Sequence, residues 1–175
     1  MASIWPHVLG IACLATSASV LAADAPAQPV AGSGVNSITQ AAVSSGVLAC
    51  ASRINQVTQF ISSGNLSGAV LFDVPGQPDQ RLASVSMEVS PKEGPAAYAS
   101  ASFAPNQANG CGAVYEAVVY WPQSCETVAS KQFSGAKKGR VLHKSILTLE
   151  TNASARIFLM PAGSGCVSIK KELVQ

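Results

Sequence analysis

Charge is what this chain has least of. Eleven Lys/Arg and nine Asp/Glu are spread over 175 residues, for a net charge of +2 at neutral pH. So small a balance gives no footing for a nucleic-acid partner, which is held by a dense basic surface. Histidine is scarcer still, at His7 and His143. The cysteines contain no C-x-x-C pair, so zinc-ligand spacing is missing and no metal site is expected. No glycine-rich phosphate loop appears, and no cofactor is expected. The carboxylates Glu88, Glu93, Glu116, Glu126 and Glu150 are scattered. Glu88 and Glu116 could share a sheet face as a glycosidase-like pair, but such acids are far more often solvent-facing strand residues. No apolar run reaches the roughly 20 residues a membrane-spanning helix needs, so no transmembrane anchor is expected.

The chain does have five cysteines. Cys13 lies in VLGIACLATSASVLAA, residues Val8 to Ala23. This short apolar run ends in small residues, and Val20 and Ala22 suit the −3 and −1 positions of a signal-peptidase site. Residues 1–22 therefore read as a signal peptide, although the preceding MASIWPH carries no Lys or Arg. Residues 23–36, rich in Pro, Ala and Gly, read as a flexible leader. Residues 37–175 are expected to form a single α+β domain. The expected location is the periplasm or the extracellular space.

Four cysteines remain after the signal: Cys50, Cys111, Cys125 and Cys166. An even set in an exported chain implies two disulfides. Ser37, with Gln40 three residues on, suits a helix start, and Val43, Val47, Cys50, Ile54, Val57 and Ile61 recur at helical spacing up to a stop at Gly64. Gly46 weakens the middle of that helix and leaves open a division in two. Extended runs follow: a buried strand over 68–74, then clean alternation over 82–90, 97–103 and 113–121. Ser124 caps a short helix from Cys125 to Phe133, with Glu126 in its first turn and Val128 and Phe133 facing inward. Strands over 140–150, 155–161 and 166–174 close the chain. The expected fold is an antiparallel meander with two helices packed on one face, in the order α-β4-α-β3, held by two disulfides.

Strand geometry removes one disulfide pairing. Cys111 and Cys125 flank a strand whose ends lie roughly 30 Å apart, whereas a disulfide tolerates about 7 Å between Cα atoms. Two connectivities stay open: Cys50–Cys111 with Cys125–Cys166, or Cys50–Cys125 with Cys111–Cys166, the first being preferred.

His143 could serve as a base for Cys125 or Cys166, but a catalytic thiol would leave an odd number of cysteines to pair. Tyr98, Glu116 and Tyr120 fall on outward positions of the alternating strands and form a candidate contact surface. Lys131, Lys137, Lys138, Arg140 and Lys144 form a basic cluster, a candidate site for an anionic envelope polymer or charged guards on edge strands. The function expected is that of an exported, non-enzymatic protein that binds another protein, such as an inhibitor or immunity protein of an envelope-acting enzyme. The alternatives are a module for anionic polymers and a small cysteine-dependent enzyme.

Overall fold

The computed structural model describes residues 34–73 and 75–175. The expectations for the signal peptide and most of the leader lie outside these residues. Chain order runs α1 (Ser37–Ser44), α2 (Ala51–Ser62), β1 (Leu66–Phe72), β2 (Ala83–Ser90), β3 (Ala97–Asn106), β4 (Gly110–Trp121), α3 (Cys125–Gln132), β5 (Lys137–Val141), β6 (Leu147–Glu150), β7 (Ala155–Ala162) and β8 (Gly165–Val174), with a 3-10 turn at Pro78–Gln80. The strands of the described residues form one antiparallel sheet of eight, ordered β1-β2-β3-β4-β8-β7-β6-β5.

The order α-β4-α-β3 with two helices is corrected to three helices and four strands in each run. The first helix divides at Gly46, whose φ of +92° is costly for any residue with a Cβ. A Cβ there would also come within 2.9 Å of the Pro78 ring. The division turns Val43 to the surface and Ala42 into the core. The cap of α1 is Asn36 rather than Ser37: its side chain accepts from the Thr39 N–H at 2.9 Å. Ser124 caps α3 as expected, accepting from the Thr127 N–H. The run 140–150 is two strands, not one. Val141 ends β5, and the Leu142 N–H donates to the Ile146 carbonyl to close a loop. That loop, Leu142-His143-Lys144-Ser145-Ile146, contains none of the usual glycine, proline or asparagine turn markers. Finally, β1 is an exposed edge strand rather than a buried one.

The three helices of the described residues lie on one side of the sheet. Val85, Met87, Ala99, Ala101, Phe103, Ala113 and Tyr115 form one buried cluster with Val47, Ile54 and Val57 from the α1–α2 segment. Leu149, Ile157, Leu159 and Cys166 form a second with Val128 of α3. The registers place all these strand residues on the same sheet face. The alanines of β3 and β4 let α2 approach the backbone closely, as short side chains leave little between helix and sheet.

The disulfides are Cys50–Cys111 and Cys125–Cys166, with Cα separations of 5.2 and 5.0 Å. Each ties the start of a helix to the second residue of a strand: Cys50 precedes α2 and Cys111 lies in β4, while Cys125 opens α3 and Cys166 lies in β8.

That correspondence extends through the sheet. Each half is a helical segment followed by a four-stranded meander, and the halves join where β4 pairs with β8. Superposing Gly110-Cys111 on Gly165-Cys166 places Glu116 on Lys171, and these two residues face each other in the β4–β8 register. The same operation exchanges the facing pair Tyr115–Glu172 with the pair Ala117–Lys170. Phe103-Ala104-Pro105 likewise corresponds to Leu159-Met160-Pro161, with each proline opposite a disulfide cysteine. The fold is thus two α-β4 halves related by an approximate two-fold axis normal to the sheet, passing through the Glu116–Lys171 pair.

Candidate contact surface on the helix-free sheet face

The alternation that sends Phe103 and Tyr115 under the helices sends Tyr98, Glu116 and Tyr120 to the other face. Tyr98 stands opposite Val118, and Tyr120 lies two residues further along β4, so the tyrosines are diagonal neighbours. They are 53 % and 50 % exposed. The Tyr98 hydroxyl is within 3.0 Å of the Ser86 hydroxyl, which restrains the ring. Val118 continues across the sheet to Ile169 and Phe158, and Tyr120 to Val167 and Met160. These five aliphatic and aromatic partners are half-buried. No described helix packs on this face, so their residual exposure is the sheet's own surface. Lys171 Nζ donates to Glu116 Oε1 at 2.7 Å, placing a paired charge at the centre of the face.

Gly165 shows how tightly one corner of the surface is built. A Cβ there would overlap the Trp121 carbonyl oxygen and lie 2.6 Å from the Tyr120 hydroxyl. Only glycine lets the β8 backbone pass under the Tyr120 ring. On the opposite face the Trp121 indole N–H donates to Ser168 Oγ at 2.8 Å.

The helix side carries a second polar constellation, which the sequence reading did not identify. Between α2 and the sheet, Tyr115 Oη donates to Glu172 Oε2 at 2.6 Å, and Lys170 Nζ lies 2.9 Å from the same oxygen. The ammonium also sits 5.2 Å from the Phe60 ring centre and 5.3 Å from that of Tyr115, within cation–π range. The signal was present as Lys170 and Glu172 two apart on β8, but their partners come from β4 and α2.

Burial pushes the Tyr115 phenol above its ordinary range, and its hydrogen bond to Glu172 adds to the rise. For Lys170 burial acts downward, but contact with the Tyr115 hydroxyl and Glu172 outweighs it and the ammonium is held upward. For Glu172 burial acts upward, but the bonds from Tyr115 and Lys170 win and the carboxyl is held low. The raised groups bind protons more tightly when folded, so their stabilisation is full below the unfolded phenol and ammonium values and is lost as pH rises through the folded ones. The lowered carboxyl stabilises above its unfolded value and stops doing so as pH falls through its folded one. The cluster should therefore be intact from about pH 5 to about pH 9, given ordinary values near 4.3 for glutamate and 10 for tyrosine. Thermal melts of Glu172→Gln should show a shallower loss of stability between about pH 5 and pH 3 than the parent; an unchanged acid slope would remove Glu172 from this role.

The basic residues come from one helix, one edge strand and one loop. Lys131 is in the last turn of α3, Lys137, Lys138 and Arg140 lie on β5, and Lys144 is in the loop after it. Along β5 Lys137 pairs with Glu150 and Lys138 with Leu149, so the two lysines leave opposite faces of the sheet edge. His143 lies exposed in the same loop. Cys125 and Cys166 are bonded to each other, so neither is a free thiol for His143 to activate. Glu88 and Glu116 do share the helix-free face, separated across β3 by one diagonal step, but Glu116 is engaged by Lys171.

No family model, curated protein or solved structure matches the chain. Among the described residues no helix is long and apolar enough to cross a membrane.

Proposed function

We propose that this is an exported, non-enzymatic protein whose helix-free sheet face binds another protein. An inhibitor or immunity protein of an envelope-acting enzyme is one specific form. The observation that carries the reading is the pairing of Tyr98 and Tyr120, each half-exposed, on a face continued by Val118, Ile169, Phe158, Val167 and Met160. Tyrosines contribute large contact area for little lost side-chain freedom and are enriched at the centres of protein interfaces. Strands bonded on both sides hold the two rings in a fixed relation, which lowers the cost of ordering them on binding. Two disulfides suit an oxidising compartment, and they use the four cysteines that follow the proposed signal.

The test is capture from an envelope extract with the parent protein and with a Tyr98→Ala/Tyr120→Ala variant of matching thermal stability. Truncating an interface hot spot costs about 2 kcal/mol or more, so losing one such tyrosine is enough to lower capture by at least about tenfold. Equal capture by both proteins removes the face from the reading.

A second reading, binding of an anionic polymer, is favoured by Lys137, Lys138 and Arg140 falling on one exposed strand. It predicts binding that weakens steeply as salt is raised and that survives the tyrosine substitutions. Their placement on opposite faces of an edge also suits charges that keep other strands away, and the tyrosine face is the stronger candidate.

A further inference from the structure

The two sheet edges occupy equivalent places in the two α-β4 halves, and their chemistry is opposite. β5, Lys-Lys-Gly-Arg-Val, carries three cations and a register break between Lys138 and Val141. Charged side chains and irregular register are the usual means of keeping a strand edge unpaired. β1, Leu-Ser-Gly-Ala-Val-Leu-Phe, has no charge, no proline and an unbroken seven-residue register with β2. Leu66, Val70 and Phe72 are 83 %, 57 % and 55 % exposed, all on the helix-free side. One edge is guarded and its counterpart is not.

We propose that β1 pairs with β1 of a second copy of this chain, joining two sheets into one of sixteen strands across a two-fold axis. The occupant follows from the strand itself. An antiparallel pair centred on Ala69 sets Leu66 opposite Phe72 and Gly68 opposite Val70 of the second copy, and the converse. Each exposed large side chain then gains an apolar or small partner on its own face. With no charge in the strand, like charges cannot meet across the axis, a condition β5 could not satisfy. On the helix side Ser67 and Ala69 are small, and an open groove between β1 and Ile38 and Ala41 of α1 leaves room beside the axis.

The operation is one the chain already performs internally. β4 and β8 join the halves antiparallel about an axis normal to the sheet, with both helical layers on one side. Pairing β1 with its copy repeats that joint. It also closes, because both unguarded edges are consumed and both free edges of the dimer are the cationic β5 strands. This inference does not depend on the tyrosine face, which lies on other strands.

Sedimentation of the oxidised protein should give twice the monomer mass, and Val70→Lys should give a monomer with an unchanged circular dichroism spectrum, its melting temperature lowered only by the lost association. Leu173→Lys, an exposed site on the same face but on β8, should remain dimeric. Ala69→Cys places two thiols opposite each other with Cα atoms about 4.5–5.5 Å apart. It should form a covalent dimer on a non-reducing gel, while Leu173→Cys should not. A monomeric parent protein overturns the proposal. So does a parent dimer that Val70→Lys leaves intact, or an Ala69→Cys protein that fails to cross-link, since the axis would then lie elsewhere.

Discussion

Replacing Cys50 and Cys111 together by alanine should lower the folding free energy by about 4 kcal/mol, as expected for closing a loop of this length. The bond spans a sequence separation of 61 residues, so its loss returns much freedom to the unfolded chain. For a domain of this size the melting temperature should fall by about 10–20 °C. Both cysteines are buried, so the double substitution avoids leaving one thiol unpaired in the core. The bond also fixes position. It holds the start of α2 at the first residues of β4, where Arg53 Nε donates to the Cys111 carbonyl at 3.1 Å. Losing it should loosen α2 against the sheet and weaken the Phe60–Lys170–Tyr115 contacts. Thermal unfolding followed by circular dichroism measures the first effect. A drop below about 1 kcal/mol would show that the packing of α2 holds this region without the staple.

Phe103→Ala should cost about 3–5 kcal/mol, the range for truncating a fully buried aromatic residue. Phe103 is completely buried and is the largest of the fully buried side chains. It lies on β3 in the cluster shared with the α1–α2 segment, with Ala83 and Ala113 facing it from the adjacent strands. Those neighbours are too small to move into the void, so the site has little means of collapsing. Its counterpart Leu159 is also fully buried, in the cluster beneath α3. Leu159→Ala should cost about 2–5 kcal/mol by the same mechanism. Urea unfolding at constant m-value would read both. A loss of under about 1 kcal/mol at Phe103 would mean that the α1–α2 layer is not packed on the sheet as described.

The sheet was legible because its strands alternate. Ala83-Val85-Met87-Val89 against Ser84-Ser86-Glu88 leaves one way to face the core; β2 follows it one residue short at its start, and β3 and β4 follow it with extended ends. The separation of Cys111 and Cys125 by a full strand correctly ruled out their pairing. Edges were harder. The apolar run Gly-Ala-Val-Leu-Phe reads as interior, yet it lies outermost because strand order depends on pairing partners that composition does not name. The turn at 142–146 was missed because it uses no special backbone residues. The two-fold relation of the halves leaves a faint trace in the sequence. Phe103-x-Pro105 before Gly110-Cys111 and Leu159-x-Pro161 before Gly165-Cys166 share the Pro and the Gly-Cys, with an apolar residue two before the proline and loops of different length. The Tyr115–Lys170–Glu172 cluster lies deeper in three dimensions. Its members meet only once β4 and β8 pair, a register that no local pattern specifies.

Differential iodination of tyrosines in the free protein and in its captured complex tests the proposed binding face most directly. In the free protein Tyr98 and Tyr120 should react and Tyr115, 3 % exposed and bonded to Glu172, should not. In the complex the account predicts that Tyr98 and Tyr120 become protected together. A stable complex in which both tyrosines keep their free-state reactivity would contradict it and move the binding surface away from the helix-free face.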